Sequence, residues 1–560
     1  MKIYKLAITS FLLLALSVNV WAQDDKDKEK EREKEEAEAE DKGLKKLLIF
    51  EKEAVLELPT AVRKYEKISF EKDVEEKEPL DYEFSDVELL LPDVDMKVKV
   101  PVIRPAELPK LYGNYVKAGF GNYVTPYFES YFNNKRNDRF MYGVHAKHLS
   151  SQRGPVEHSG VSENVLSAYG KYFLGSAALT GRLGYNRNMY NFYGFQPGTI
   201  VDRDTIRQVF NIFSASALLE NTDKDAALDY KAGVDYFRLD DRFDAVENEV
   251  LGRISSSYKI DDNKFIDFKG VYSNSRRTDS VAQSRNYLLL QPGFLLTNEN
   301  YSVRLGINTA WSNDTLDASG GVKVYPDIEV NYHFIPGQLT FFGGLTGQLE
   351  RNVLRTFVHE NPWLISDVPL NHTNKTLEIF AGAKGNVFEK LNYNARVSYA
   401  TYQNLWFFAN SAVDSSQFTI LYDHGNSTVL NIAGDVSYDL SQRLRVGAKA
   451  NIFNYSVNLD QPWHRPTFTG SINGSYNLQD KIFFNTDIYY ISGITARNFM
   501  TGEDFNLPSI IDLNLKTEYR FSSAFSAFLE VNNILSRNYQ RYLYYPVRGI
   551  NVLGGLTYSF

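Results

Sequence analysis

From Tyr112 to the end of the chain, apolar and polar side chains alternate with a period of two. Ile511, Leu513, Leu515, Tyr519 and Phe521 alternate with Asp512, Asn514, Lys516, Glu518 and Arg520. Leu444, Val446, Ala448, Ala450 and Ile452 do so with Arg443, Arg445, Gly447, Lys449 and Asn451, and Leu228, Tyr230, Ala232, Val234 and Tyr236 with Asp229, Lys231, Gly233 and Asp235. In the last dozen residues Ile550, Val552, Leu556, Tyr558 and Phe560 share one face, Asn551, Gly555, Thr557 and Ser559 the other. Period two marks a strand whose faces meet different surroundings. One face greasy and the other charged suits a wall with lipid outside and water inside. Such a wall must close, because each unpaired backbone group in hydrocarbon costs several kcal/mol. The pattern recurs in roughly 22 segments of about 10 to 15 residues, within the strand numbers of membrane barrels. It predicts an all-β, transmembrane, antiparallel up-and-down barrel over residues 111–560. The alternative, a soluble propeller or tandem sandwiches, uses shorter strands, around five or six residues.

The connections divide into two kinds. Tight turns are expected at Asn134–Asp138, Leu174–Ser176, Asp261–Asn263, Asn298–Asn300, Pro336–Gln338, Leu440–Gln442, Gln479–Asp480 and Ser522–Ser523. Longer polar ones are expected at Ser150–Val161, Gly194–Thr205, Arg351–Asn374, Gln403–Asn426, Asn454–Pro466 and Ser492–Leu507. Short on one side and long on the other is the arrangement of periplasmic turns against external loops, and an even count places both barrel termini in the periplasm.

Upstream, Met1–Ala22 reads as a secretory signal: Lys2 and Lys5, an apolar centre Leu6–Leu16, and Val20-Trp21-Ala22 as the cleavage site. Residues 23–46 form a charged tether of interleaved signs that cannot bury a core. Residues 47–110, punctuated by Pro59, Pro79, Pro92, Pro101, Pro105 and Pro109, read as an extended periplasmic segment, since proline at that density excludes helices and central strands.

Composition narrows the class further. Tyr and Phe number 37 each, yet no apolar run beyond the first 25 residues is long enough for a membrane helix. Aromatic girdles without spanning helices fit a barrel. Cysteine is absent, which removes disulfides, thiolate metal sites and thiol lipid anchors. A net charge of −8 with both signs abundant does not suggest nucleic acid. The sequence contains no GxSxG or HExxH, and His145 and His148 point to opposite faces of one strand, so no enzymatic site, metal site or cofactor is expected. Candidate lumen charges are Asp229, Lys231, Arg443, Arg445, Lys449, Asp512, Lys516, Glu518 and Arg520. Their mixed signs favour pairing across the wall over a single-sign selectivity ring.

The C-terminal 40 residues resemble the end of the TonB-dependent receptor barrel of Gram-negative outer membranes. The resemblance is carried by AFLEVNNILSRNY, with Asn533, Leu535, Arg537, Asn538 and Tyr539, and by RGINVLGGLTYSF, with Arg548, Gly549, Gly555, Leu556, Tyr558 and Phe560. It implies an outer-membrane barrel for uptake, powered through TonB, with outer-membrane lipid and the barrel-assembly machinery as partners. The family also carries a globular plug of upwards of a hundred residues before the first strand; Gln23–Leu111 has no room for one. Glu53–Thr60 (EAVLELPT) is the candidate TonB-contacting strand, and coupling to TonB stays open. The expectation is a plugless channel or receptor component for solutes, its lumen open or filled by Arg351–Asn374, Gln403–Asn426 or the Pro-rich segment. The alternative is a non-transporting barrel that recruits other envelope proteins through residues 24–110.

Overall fold

A computed structural model describes residues 112–560 apart from 135, 136, 153, 196–198, 200, 203, 316 and 317. The expected signal (1–22), tether (23–46), extended segment (47–110) with its Glu53–Thr60 stretch, and Leu111 lie outside the described residues.

Each strand pairs antiparallel with its neighbour in chain order, and the first, Asn114–Gly121, pairs with the last, Asn551–Ser559. The result is a closed sheet of 22 strands. At the seam Tyr115 lies opposite Ser559 and Gly121 opposite Leu553. Asn114 and Phe560 exchange two backbone hydrogen bonds, at 3.2 and 3.1 Å. A side chain at Gly555 would not fit there, since its Cβ would lie 2.1 Å from the Ala118 carbonyl oxygen. Glycine at this position lets the final strand seat against the first and close the ring.

The two faces differ as the alternation requires. Leu183 (57% exposed), Val234, Leu305, Ile472 and Leu556 stand outward, each half exposed or more. A continuous apolar surface around a barrel is what lipid covers. Among the described residues no helix is long and apolar enough to cross a membrane. The strands do the crossing. On the inner face ion pairs form between adjacent strands, Arg253 with Asp235 (2.7 Å), Arg304 with Asp327 (3.1 Å) and Arg396 with Glu378 (2.6 Å), and across one intervening strand, Lys171 with Glu220 (2.6 Å) and Arg304 with Asp267 (2.7 Å).

The eight expected tight turns all fall at the end of the barrel that holds both termini. Two more turns there, at Thr222–Ala227 and Phe388–Lys390, escaped the sequence reading. Phe388 and Glu389 adopt φ of 53° and 59° without the Gly, Asn or Asp that normally announces such a turn. The opposite end holds the long connections, but Asn122–Val124, Arg242–Ala245 and Asp279–Val281 are short there too.

One expectation is corrected. Gln403–Asn426 is not a polar loop: the strands Leu391–Asn410 and Phe418–Ser441 continue through most of it as a hairpin with a bulge at Asn404 (φ 55°). Leu405, Trp406, Phe407 and Phe408 are apolar on both faces, so the alternation stops although the strand does not. Ser492–Leu507 likewise holds a small separate hairpin, Ile494–Asn498 with Glu503–Leu507.

Replacing Leu183 by Arg puts a charge in mid-strand on the lipid face and is expected to destabilise the barrel by roughly 2–4 kcal/mol. Ser216→Lys, on the inner face, is expected to cost under about 1 kcal/mol. Urea titration of the barrel refolded into phospholipid vesicles measures both; equal costs would contradict the assignment of faces.

Candidate functional site

At the long-loop end the connections fold together into a cap. Its centre is the connection from Leu339–Glu350 to Thr373–Val387, which carries the helix Leu354–Glu360. The helix begins at Val353, which supplies no side-chain cap. Instead Glu247, from the inner wall, accepts the backbone N–H groups of Leu354 (3.0 Å) and Arg355 (3.1 Å). A carboxylate there satisfies two orphan donors and complements the helix dipole. The neighbouring Glu249 takes Arg351 and Arg355, and Arg355 also lies 3.7 Å from the centroid of the Phe237 ring. The helix is thereby held against the wall of the barrel.

Beyond the helix the segment crosses the mouth. Trp363 Nε1 donates to the Asn191 carbonyl (3.0 Å) at the end of the fifth strand, Ala177–Asn191, while the segment itself leaves from the thirteenth, Leu339–Glu350. Trp363 packs on Tyr545 (ring centroids 3.9 Å) and Tyr193 (5.9 Å). Phe357, Trp406, Phe408, Phe418 and Tyr542 continue the cluster, with Phe357 and Trp406 edge to face at 4.9 Å. The other face of the tall hairpin, Leu405 and Phe407, is covered by Trp463, Val457, Leu459 and Phe499. Inward-facing Phe210 and Leu239 near the rim join the same core, so here the barrel's inner face is apolar. The cap is a small hydrophobic core of its own.

Buried polar groups pin it. Arg285 clasps Asp314 through Nε (2.8 Å) and Nη2 (2.9 Å), donates to the Asn352 carbonyl (2.8 Å), and meets His372 Nδ1 at 2.9 Å. His372 Nδ1 also accepts the Asn352 N–H at 3.1 Å. This fastens the beginning and the end of the crossing segment to the wall. His464 Nδ1 donates to the Phe408 carbonyl (2.9 Å), and its Nε2 accepts from the Leu543 N–H (3.4 Å). Asp423 accepts backbone N–H groups of Asn458 (2.9 Å) and Leu459 (3.0 Å) and ties the hairpin to its neighbour. Both histidines are buried and held neutral: burial, then the Arg285 charge, lowers His372 to about 3, and burial lowers His464 to about 4.

The residues singled out in the sequence are distributed as follows. Lys231 lies 4.0 Å from Glu220, Arg445 pairs with Asp439 at 2.5 Å, and Lys516 is 3.6 Å from Glu530. Arg520 sits over the Phe483 ring at 4.5 Å. Asp512 accepts a hydrogen bond from Tyr539, which joins an inner-face charge to the C-terminal signature. Asp229, Lys449 and Glu518 share the inner face without entering the cap, whereas Arg443, expected there, lies in the short turn before Leu444–Ser456, where the chain reverses and no inward face exists. Asn533 makes the signature's turn: at φ 49°, it accepts from the Arg537 N–H (3.2 Å) and donates to the Arg537 carbonyl (3.0 Å). Beyond it, Tyr542, Leu543 and Tyr545 are delivered into the cap, and Gly549 leads back to the strand bearing Tyr558 and the terminal Phe560. His145 meets Glu129 (3.1 Å) and His148 meets Asn164 (2.7 Å), on opposite faces. No cluster of metal-ligating side chains occurs among the described residues. The sequence reading missed Glu247, Glu249, Arg285, Asp314 and His372; the signal was apolar runs such as Tyr287 to Leu290, where the inward Tyr287 and Leu289 turn apolar and buried beside the outward Leu288 and Leu290.

Compared by sequence, the chain matches no family model, and no curated protein matches it. By structure it is similar to the FrpB iron transporter of Neisseria meningitidis, with a TM-score of 0.63 at 9% identity, covering 81% of this chain and 82% of that one. It is similar also to the ferric enterobactin receptor PfeA of Pseudomonas aeruginosa (TM-score 0.61, 10% identity, 80% and 81% covered). A third is the ferric-catecholate import receptor Fiu of Escherichia coli K12 (TM-score 0.62, 10% identity, 81% and 82% covered). At such identities the likeness establishes the fold.

Because His372 and His464 are neutral when buried and charge in an opened cap, the cap is most stable above the ordinary histidine range and loses stability as pH falls toward their depressed values. Each is expected to cost about 2 kcal/mol at pH 5. Hydrogen exchange at Leu354–Glu360 is expected to rise steeply between pH 7 and 5 relative to the intrinsic rate, while mid-strand amides hold; His372→Gln combined with His464→Gln is expected to flatten the profile.

Proposed function

We propose that the chain is an integral outer-membrane β-barrel of the TonB-dependent receptor type, acting as a channel or receptor component for solute passage. In this reading the short-turn end, the C-terminus and residues 23–110 face the periplasm, and the long-loop end faces outward. The mouth is closed by the loop cap in place of a separate plug. The observation that carries the reading is the segment that leaves the thirteenth strand and reaches Asn191 and Tyr545 through Trp363. A barrel of this size encloses a wide interior. A folded closure over a lumen lined with paired charges is the architecture of a gated passage. The barrel-level likeness to an iron transporter and two ferric-siderophore receptors supports transport as the class of function. Outer-membrane lipid and the assembly machinery are its expected partners, with residues 24–110 available to other envelope proteins.

The test is planar-bilayer recording of the purified barrel. The wild type is expected to conduct little. Replacing residues 354–370 by a short Gly-Ser linker is expected to produce large, steady conductance. A wild type that conducts as much as the variant would refute closure by the cap, and two silent barrels that copurify with envelope proteins would favour a scaffold.

A further inference from the structure

Above the apolar belt, on the outward face of the third to tenth strands, from Phe140–Ser151 to Ala282–Thr297, lies a polar row that the transport reading does not use. His148, Asn164, Arg187, Asn211 and Asp240 stand directly opposite one another across five successive strands. Arg187 is the next outward position after Leu183 and Tyr185, both exposed on the lipid face. One step of about 7 Å along the strand therefore separates acyl-chain level from the guanidinium. Farther round, Arg276 stands two outward positions above Tyr272, beyond Asn274 and next to Asn248 in the ladder.

The tyrosines just below the row brace it. Tyr185 donates to Asn211 (3.0 Å), Tyr236 to Asn248 (2.8 Å) and Tyr272 to Asn286 (3.1 Å). Asn211 in turn donates to Asp240 (3.0 Å). The neighbouring Arg238 and Arg207 have acidic partners, Asp240 at 3.5 Å and Asp204 at 3.8 Å. Among the described residues Arg187 and Arg276 have none, and both are exposed. Arg187 borders a hollow of about 530 Å³ shared with His148, Ser162 and Arg207. A second sector lacks the arrangement. On Leu444–Ser456, Phe468–Leu478 and Ile482–Ser492 the upper outward positions are Asn454, Ser456, Phe468, Tyr490 and Ser492, all uncharged.

We propose that this rim is a binding site for a phosphorylated glycolipid of the outer leaflet, with Arg187 and Arg276 taking headgroup phosphate and the asparagine row taking sugar hydroxyls. A guanidinium presents paired N–H donors that match phosphate oxygens. Its height places it where the acyl chains end and the headgroup begins, a position that a soluble anion has no reason to prefer. The proposal rests on the long-loop end facing outward.

The test uses the folded full-length barrel in detergent and native mass spectrometry. The probes are a bis-phosphorylated glucosamine-disaccharide lipid, the same lipid with its phosphates removed, and inorganic phosphate. The phosphorylated lipid is expected to bind, and each arginine contributes roughly fivefold, so Arg187→Gln with Arg276→Gln is expected to weaken it about 25-fold. Unchanged heat-modifiable migration on gels would show that the variant still folds. Equal binding of the dephosphorylated lipid, equal binding by the variant, or displacement by inorganic phosphate at comparable concentration would overturn the proposal. Orientation is judged separately: labelling of Asp262→Cys, in a short turn, by a membrane-impermeant reagent on intact cells would defeat both the outward assignment and the outer-leaflet ligand. The titration still reports whether the two arginines bind phosphate.

Discussion

Hydrocarbon offers the backbone no hydrogen-bond partner, and this constraint organises the molecule. A sheet with two free edges would leave a row of N–H and C=O groups unpaired at several kcal/mol each. Closure removes both edges at once, and it happens where Asn114–Gly121 meets Asn551–Ser559. The glycine at 555 and the paired ends at Asn114 and Phe560 are the local means of reaching it. Once the ring is closed, each strand has one face for lipid and one for the interior, and the alternation of side chains follows from that geometry.

The interior is then two environments in sequence. Through most of the wall the inward side chains are charged or polar, and opposite signs meet at 2.6 to 2.7 Å in pairs such as Lys171 with Glu220 and Arg304 with Asp267. Near the long-loop end the same inward positions turn apolar, with Phe210, Leu239, Tyr287 and Leu289, because loops press against them and exclude water. The switch from polar to apolar along one face marks where the lumen ends and the cap begins. The buried charges that pin the cap are well partnered: Arg285 has Asp314, a carbonyl and His372, and Glu247 has two backbone N–H groups and a serine. Leaving either partner alone would strand a buried charge.

The outer surface is graded in the same way. Apolar side chains fill the belt, tyrosines and a phenylalanine follow at its upper limit, and asparagines and arginines come next. Tyrosine suits the middle zone because its ring lies in the apolar layer while its hydroxyl reaches the polar one. The three Tyr to Asn hydrogen bonds mark that boundary across neighbouring strands.

The chain by itself determined the barrel. A period of two depends only on which neighbour of each residue faces lipid, and that information is local, so the strands, the eight turns and the lipid face from Tyr112 onward were legible without coordinates. It also singled out Arg351–Asn374 and Gln403–Asn426 as segments long enough to fill the lumen, though it read the second as a loop. Tertiary structure alone decided that these segments form a cap. Leu405 to Phe408 lost the alternation because the hairpin is covered on both sides, and covering comes from Trp463 and Phe357, distant in sequence. The pairing of Glu247 with the start of a helix more than a hundred residues later, and of Arg285 with His372, follows from where the closed ring places the strands. Periodicity reports what lies beside a residue in the chain; it carries no record of what folds over it.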